Sequence, residues 1–313
     1  MPLSSEELIH ALDSVTSVII LPYRDGELDY DGIGKNVDYL IQNNYLDDDR
    51  KRVLAVAGTS LIHHVSRAEQ TRIMDFIGSR IDGNGVLMSG IAPNPLADAG
   101  ELIEAQAGLS RPPDCYLIMP VTGVADPAGF YDTYMEFAER YAASSGARLL
   151  YYMRDSSQAE GAVRLVNDSP HFVGIKVGTS EEDVSAIVEG VNDGSGIVMW
   201  GIGDRSTGPA TKGTKGHTSG INLGFVKACD AINNAQRKGD YDTGFKVERE
   251  LAPLEEIRFR DARKYNYSAV VEAIRHAGWD DVVGGEGGPF NPPVPPEVSA
   301  EVETAISGIL NYH

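Results

Sequence analysis

The chain is short of cysteine, of basic side chains and of long apolar runs, and each shortage removes a class of protein. Cysteine occurs twice in 313 residues, as Cys115 in an apolar stretch and Cys229 far from it. Neither a disulfide framework nor a paired-cysteine metal site is available, so both read as buried free thiols. Lys and Arg number 27 against 46 Asp and Glu, which leaves a net charge of −19. Such a surface repels phosphate backbones and anionic lipid and argues against nucleic acid as a partner. No stretch approaches the roughly 18 consecutive apolar residues of a membrane span, so no membrane association is expected. The N-terminal MPLSSEELIHALDS lacks a basic start followed by an apolar run, and a cytoplasmic protein is expected.

What remains is an ordinary globular composition, 42% hydrophobic and 23% charged. At about twice the roughly 150-residue domain prior, the length allows two modest domains or one large barrel. Short β-rich apolar runs recur at 17–21, 53–57, 85–89, 115–119, 148–152, 172–176, 196–200 and 217–219. Helix-like stretches follow them at 30–43, 66–77, 95–107, 127–144, 159–166, 180–191, 205–212 and 225–238. Eight such units, at a spacing near the roughly 31 residues per unit of a typical barrel, predict an α/β fold of the TIM (β/α)8 type, with a doubly wound sheet as the structural alternative. Ser66 before Glu69 and Ser180 before Asp183 predict helix caps. The β signal stops near Cys229. Residues 242–262, 268–277 and 296–310 read as helices, the last two separated by the segment GGEGGPFNPPVPP. The expected division is a barrel over 1–228 and a C-terminal helical appendix over 229–313, the latter packed on the barrel or serving as an oligomer contact.

Active sites of such barrels lie at the C-terminal ends of the strands. Of nine lysines, eight have polar or charged neighbours, whereas Lys176 ends the apolar run His171-Phe172-Val173-Gly174-Ile175-Lys176. A desolvated lysine loses pKa and becomes the nucleophilic amine that Schiff-base formation requires, although a strand-end lysine can also snorkel to solvent. The preceding strand ends in Tyr151-Tyr152, one of which must face inward by period-2 alternation and could shuttle protons beside the amine. After the second strand, Gly58-Thr59-Ser60 offers backbone N–H groups and hydroxyls suited to a carboxylate.

Taken in order, Gly58-Thr59-Ser60, Tyr152, Gly174-Ile175-Lys176, Gly201-Ile202-Gly203-Asp204 and the run from Gly213 to Asn222 resemble the motifs of the dihydrodipicolinate synthase / N-acetylneuraminate lyase family. Most of residues 15–235 is covered, and Leu21-Pro22-Tyr23 is similar to the family's opening. The resemblance implies a Schiff-base lyase acting on pyruvate or a 2-keto acid without cofactor or metal, as a homotetramer or homodimer. It also implies roles. Lys176 forms the imine, Tyr152 moves protons and Thr59 completes the relay. Ser60 holds the keto-acid carboxylate, while Gly201, Thr218 and Ser219 approach the bound acid. Two departures stand out: the family's G-T-T-G-E is here Gly58-Thr59-Ser60-Leu61-Ile62, and no interface tyrosine follows Met119-Pro120. Both weigh against the lysine-pathway synthase itself. Tyr152-Met153-Arg154-Asp155 and the Pro-rich C-terminus are similar to 5-dehydro-4-deoxyglucarate dehydratases, which favours Tyr152 over Tyr151 and makes Arg154 a candidate clamp on a distal substrate group. The alternatives are a keto-acid-binding paralogue of the same barrel without turnover, or the dihydrodipicolinate synthase activity itself.

Three further features carry ordinary readings. His63-His64 lack an acidic partner at ligand spacing, so no metal site is expected and contact with a substrate tail or solvent is. The run from Gly201 to Ser206 is a strand turn rather than a dinucleotide fingerprint. Asp47-Asp48-Asp49 is a solvated loop. An anionic substrate on so acidic a chain requires local cations at the barrel mouth, and Lys176 and Arg154 are the expected ones.

Overall fold

The computed structural model describes residues 3–121 and 123–313. Eight short strands carry the fold: β1 (Val15–Val18), β2 (Arg52–Val56), β3 (Gly85–Ile91), β4 (Cys115–Ile118), β5 (Leu149–Met153), β6 (Phe172–Val177), β7 (Ile197–Trp200) and β8 (His217–Ser219). Each pairs in parallel with its sequence neighbour, and β8 pairs with β1 through Val15 with His217, Thr16 with Thr218 and Ser17 with Ser219. The sheet therefore closes into a barrel, which a doubly wound sheet cannot do. Buried on both faces, these strands read as nearly continuous apolar runs.

Alternation along the strands sorts the core into two layers. Leu117, Leu150, Tyr152 and Met199 belong to the cluster that fills the barrel. Their chain neighbours Tyr116, Ile118, Tyr151, Met153, Val198 and Trp200 pack outward against the helices. Tyr151 meets Phe130 with ring centroids 4.8 Å apart and donates its hydroxyl to Gln158 Oε1 at 2.6 Å. Tyr152 is thus the inward phenol.

Local signals set the helix starts unevenly. Ser66 caps the helix Arg67–Ile81 by accepting from the Glu69 amide, and Ser4 forms a full capping box with Glu7. Ser180 makes no such bond to the backbone that follows it. The chain there begins with a tighter 3-10 turn, Glu181–Asp183, which Ser180 precedes in extended conformation. After β1 a two-stranded hairpin, Tyr23–Arg24 with Glu27–Leu28, turns through Asp25 and Gly26 at φ 51° and 80°, the pair of left-handed conformations a tight hairpin turn needs.

Beyond the barrel lie the helices Val226–Arg237, Tyr241–Arg263, Ser268–Ala277 and Pro296–Ile306. The 228/229 boundary read from the sequence falls within the first of these. The helix expected to run to 262 loses helical geometry at Arg260, and Asp261, Ala262 and Arg263 follow at φ 50°, 57° and 73°. The Gly/Pro-rich segment returns across the barrel mouth: Glu286 donates its amide to Tyr23 O at 2.9 Å, and Asp25 donates its own to the Glu286 carboxylate at 3.0 Å. No helix among the described residues is long and apolar enough to cross a membrane.

Candidate active site

β5 and β6 run in register, Tyr152 beside Lys176. Lys176 is 6% exposed, and its ammonium lies 3.6 Å from the centroid of the Tyr152 ring, a desolvated cation–π contact. Burial pulls its pKa down from the ordinary lysine value. The Tyr152 charge opposes that pull, while Arg154 and Arg263 add to it. For Tyr152 burial acts upward, but the combined pull of Lys176, Arg154 and Arg263 outweighs it and leaves the phenol at about 8. Its hydroxyl donates to Gly201 O and accepts from Arg154 Nη1, both at 3.4 Å, long contacts that a closer ligand could displace.

Gly201 shapes the space around the amine. A Cβ there would stand 2.6 Å from Val177 O and 2.9 Å from Lys176 Cε, so a larger residue would crowd the lysine stem. Thr218, inward on β8, and Thr59, in the 3-10 turn Gly58–Ser60 after β2, line the same cavity of about 430 Å³. Thr59 makes no hydrogen bond to Tyr152 here.

Ser60 and Ser219 sit elsewhere. The Ser60 hydroxyl donates to Ile19 O at 2.6 Å, its amide closes the turn onto Ala57 O, and the Leu61 amide closes onto Gly58 O. The groups expected to hold a carboxylate thus brace the loop against β1. Ser219 follows inward Thr218 and so faces outward, donating to Asp204 Oδ2 at 2.8 Å beside Cys229. Asp204, the last residue of the G-x-G-D run, also meets His217 Nε2 at 3.3 Å and donates its amide to Glu255. It ties β8 to the C-terminal helix from behind.

That helix and the chain that follows it supply residues not expected from the sequence. Arg258, Phe259, Arg263, Asn266, Tyr267 and Asn291 complete the cavity wall. Arg258 is buried, paired with Glu255 and bonded to Asn266 Oδ1 at 2.7 Å. It reaches the cavity beside Gly220, where a Cβ would collide with the guanidinium. One signal was available: in a chain of net charge −19, the heptapeptide RFRDARK at 258–264 concentrates four cations. His63 lines the cavity, its pKa lowered by burial and by adjacent His64, while His64 packs on Phe290 with ring centroids 4.7 Å apart. Among the described residues no group of three or more His, Cys, Asp or Glu is placed to hold a metal ion.

No protein-family profile matches the chain. The structure superposes on dihydrodipicolinate synthase from Bacillus clausii with TM-score 0.84 and 20% identity, covering 96% of this chain and 98% of that one. The enzyme from Oceanobacillus iheyensis gives TM-score 0.81 and 21% identity, with 97% and 98% covered. Among curated proteins, 4-hydroxy-tetrahydrodipicolinate synthase of Methanococcus maripaludis is 28% identical over 90 residues, only 29% of either chain. That of a Psychrobacter species is 24% identical over 252 residues, 79% of this chain and 80% of its own. In fold throughout, and in sequence over most of its length, the chain resembles the dihydrodipicolinate synthase / N-acetylneuraminate lyase family.

Proposed function

We propose that the protein is a class I lyase whose Lys176 forms an imine with a 2-oxo acid and promotes aldol cleavage or dehydration of a 2-keto-3-deoxy acid. The observation that carries this reading is the buried, low-pKa Lys176 against an inward phenol at the base of a cavity. The neutral amine adds to the keto carbon. The carbinolamine then loses its hydroxyl as water, for which Tyr152 supplies the proton. The resulting iminium is the electron sink, so the chemistry calls for neither metal nor cofactor. Loss of a proton from C3 gives an enamine that expels a C4 hydroxyl as water. Alternatively, loss of the C4 hydroxyl proton breaks the C3–C4 bond and releases an aldehyde.

The lysine-pathway synthase is not the favoured member of this group, because the Gly-Thr-Ser-Leu turn spends the Ser60 hydroxyl and amide on bracing the loop. The same bracing is what favours the second reading, a barrel that binds keto acids without turning them over. Its two unpaired, buried thiols suit the reducing cytoplasm. We take the working form to be a homo-oligomer, as the family resemblance implies, although one similar structure is described as a monomeric dihydrodipicolinate synthase variant.

A panel of 2-keto-3-deoxy sugar acids, assayed separately for pyruvate release and for water loss, tests the proposal. Turnover of at least one acid by the native protein, abolished in Lys176→Ala, is expected. Binding without turnover that survives Lys176→Ala would establish the non-catalytic reading instead.

A further inference from the structure

The chemistry proposed above needs a proton carrier at C4, away from the amine: the C4 hydroxyl must lose its proton in aldol cleavage, or gain one to leave as water. Tyr152 serves the other end, since its ring covers Lys176 and its hydroxyl sits between Gly201 O and Arg154. No Asp or Glu lines the cavity among the described residues. The arginines of the wall keep their protons at any working pH, its Thr and Asn side chains do not titrate, and the Tyr267 hydroxyl is spent on Leu21 O. His63 is the lining group that remains.

The turn that carries His63 is firmly built. Ile62–His64 forms a 3-10 turn directly after Gly58–Ser60, with Leu61 between the two at φ 57°, a left-handed conformation that a bulky residue seldom adopts. Such strain concentrates at active sites. Buried Gln70 holds the turn from beneath, donating its side-chain amide to Ile62 O at 3.0 Å and to Val65 O at 2.9 Å. From the other side His64 packs on Phe290. His63 itself has no hydrogen bond, ion pair or ring contact among the described residues, and its side chain is exposed at the cavity mouth. It is therefore free to meet a ligand. The part of it that the wall buries and the adjacent His64 lower its pKa, so at neutral pH it is the neutral imidazole, which accepts a proton readily and donates one poorly.

Resting on the imine reading above, we propose that His63 is the catalytic base at C4, accepting the C4 hydroxyl proton as the C3–C4 bond breaks. The electron pair of that bond passes into the iminium to give the enamine, and the aldehyde departs. The imidazolium returns its proton to C3, and hydrolysis of the iminium releases pyruvate. A base at this position selects cleavage over dehydration, so the substrate is a 4-hydroxy-2-oxo acid that is split, not dehydrated.

Aldehyde and pyruvate release from 2-keto-3-deoxygluconate and from 4-hydroxy-2-oxopentanoate, measured beside borohydride trapping of pyruvate, tests this. His63→Ala should lower kcat for cleavage by about 10²- to 10⁴-fold while trapping pyruvate near the native rate, and added imidazole should restore part of the lost turnover. In the native protein kcat should fall on the acid side as the imidazole takes up a proton, a limb absent in His63→Ala and retained in His64→Ala. Of the other titratable groups on the wall, Lys176 is tied up in the imine, and Tyr152, Tyr267, Arg154, Arg258 and Arg263 take up no proton in that range. Cleavage of neither probe by a native protein that traps pyruvate, water loss without aldehyde, or an unchanged kcat in His63→Ala overturns the proposal. So does a loss of trapping as large as the loss of cleavage. If His63→Ala does not fold, His63→Gln, polar but without a titrating nitrogen, gives the same readout. A native protein that fails to trap pyruvate counts instead against the imine reading itself.

Discussion

Tyr151 and Tyr152 are neighbours in the chain with opposite duties, and the difference is measurable. In the proposed mechanism Tyr152→Phe removes the proton carrier, so it should lower kcat by roughly 10²- to 10⁴-fold. Tyr151→Phe removes only the bond to Gln158, so it should cost about 1 kcal/mol of stability while leaving turnover near that of the native protein. A larger turnover loss in Tyr151→Phe would reverse the assignment. The pH profile follows from the same pair. In the proposed mechanism Lys176 attacks as the neutral amine, and burial lowers its pKa from the ordinary lysine value, so the reactive fraction grows as pH rises. Tyr152 acts as an acid only while protonated and loses its proton through about 8. The rate should therefore rise and then fall, with an alkaline limb near 8 that disappears in Tyr152→Phe. Lys176 and Tyr152 were legible because a lysine closing an apolar run and a strand-end phenol are anomalies of type. The sequence does not show that the Ser60 and Ser219 hydroxyls bond to Ile19 O and to Asp204, because a hydroxyl serves equally as ligand or as strut.

Among the elements, every strand start but the first lies within one residue of its expected place, the polar β8 included, whereas β1 occupies Val15–Val18 rather than 17–21. Thr16 and Ser17 hide that strand in the sequence, since their place in it is fixed by pairing with Thr218 and Ser219, a long-range fact. The loop after β7 gives an element-level prediction. Gly201→Ala places a methyl between Val177 O and the Lys176 stem, which should cost about 1–3 kcal/mol through overpacking and slow imine trapping. Native-like stability with undiminished trapping would show that the loop yields and does not shape the lysine.

For the whole molecule, the barrel and the C-terminal helices are one packing unit. Leu251, Leu254, Ile257, Val270 and Ile274 share a cluster with Leu54, Met88 and Ile221 of the barrel and its rim. Thermal unfolding should accordingly be a single cooperative transition seen alike by calorimetry and circular dichroism. Two well-separated transitions would show that the appendix folds apart from the barrel. The eight β/α units were plain in the sequence, but the appendix's part in the site was not. Which face of a helix meets a barrel mouth depends on packing across more than 200 residues of chain, as between Tyr267 and Leu21. The net charge of −19 is compatible with the proposed anionic substrate at this scale, because the described cavity lining carries Lys176, Arg154, Arg258 and Arg263 and no Asp or Glu.

The account turns on a covalent bond at Lys176, and borohydride reduction in the presence of pyruvate, followed by peptide mass mapping, tests it most directly. The expected result is a pyruvate-derived adduct on Lys176 and on no other lysine, absent without pyruvate and absent in Lys176→Ala. A folded protein that gains no adduct under conditions that label a known class I aldolase, or that gains it at another lysine, would contradict the account.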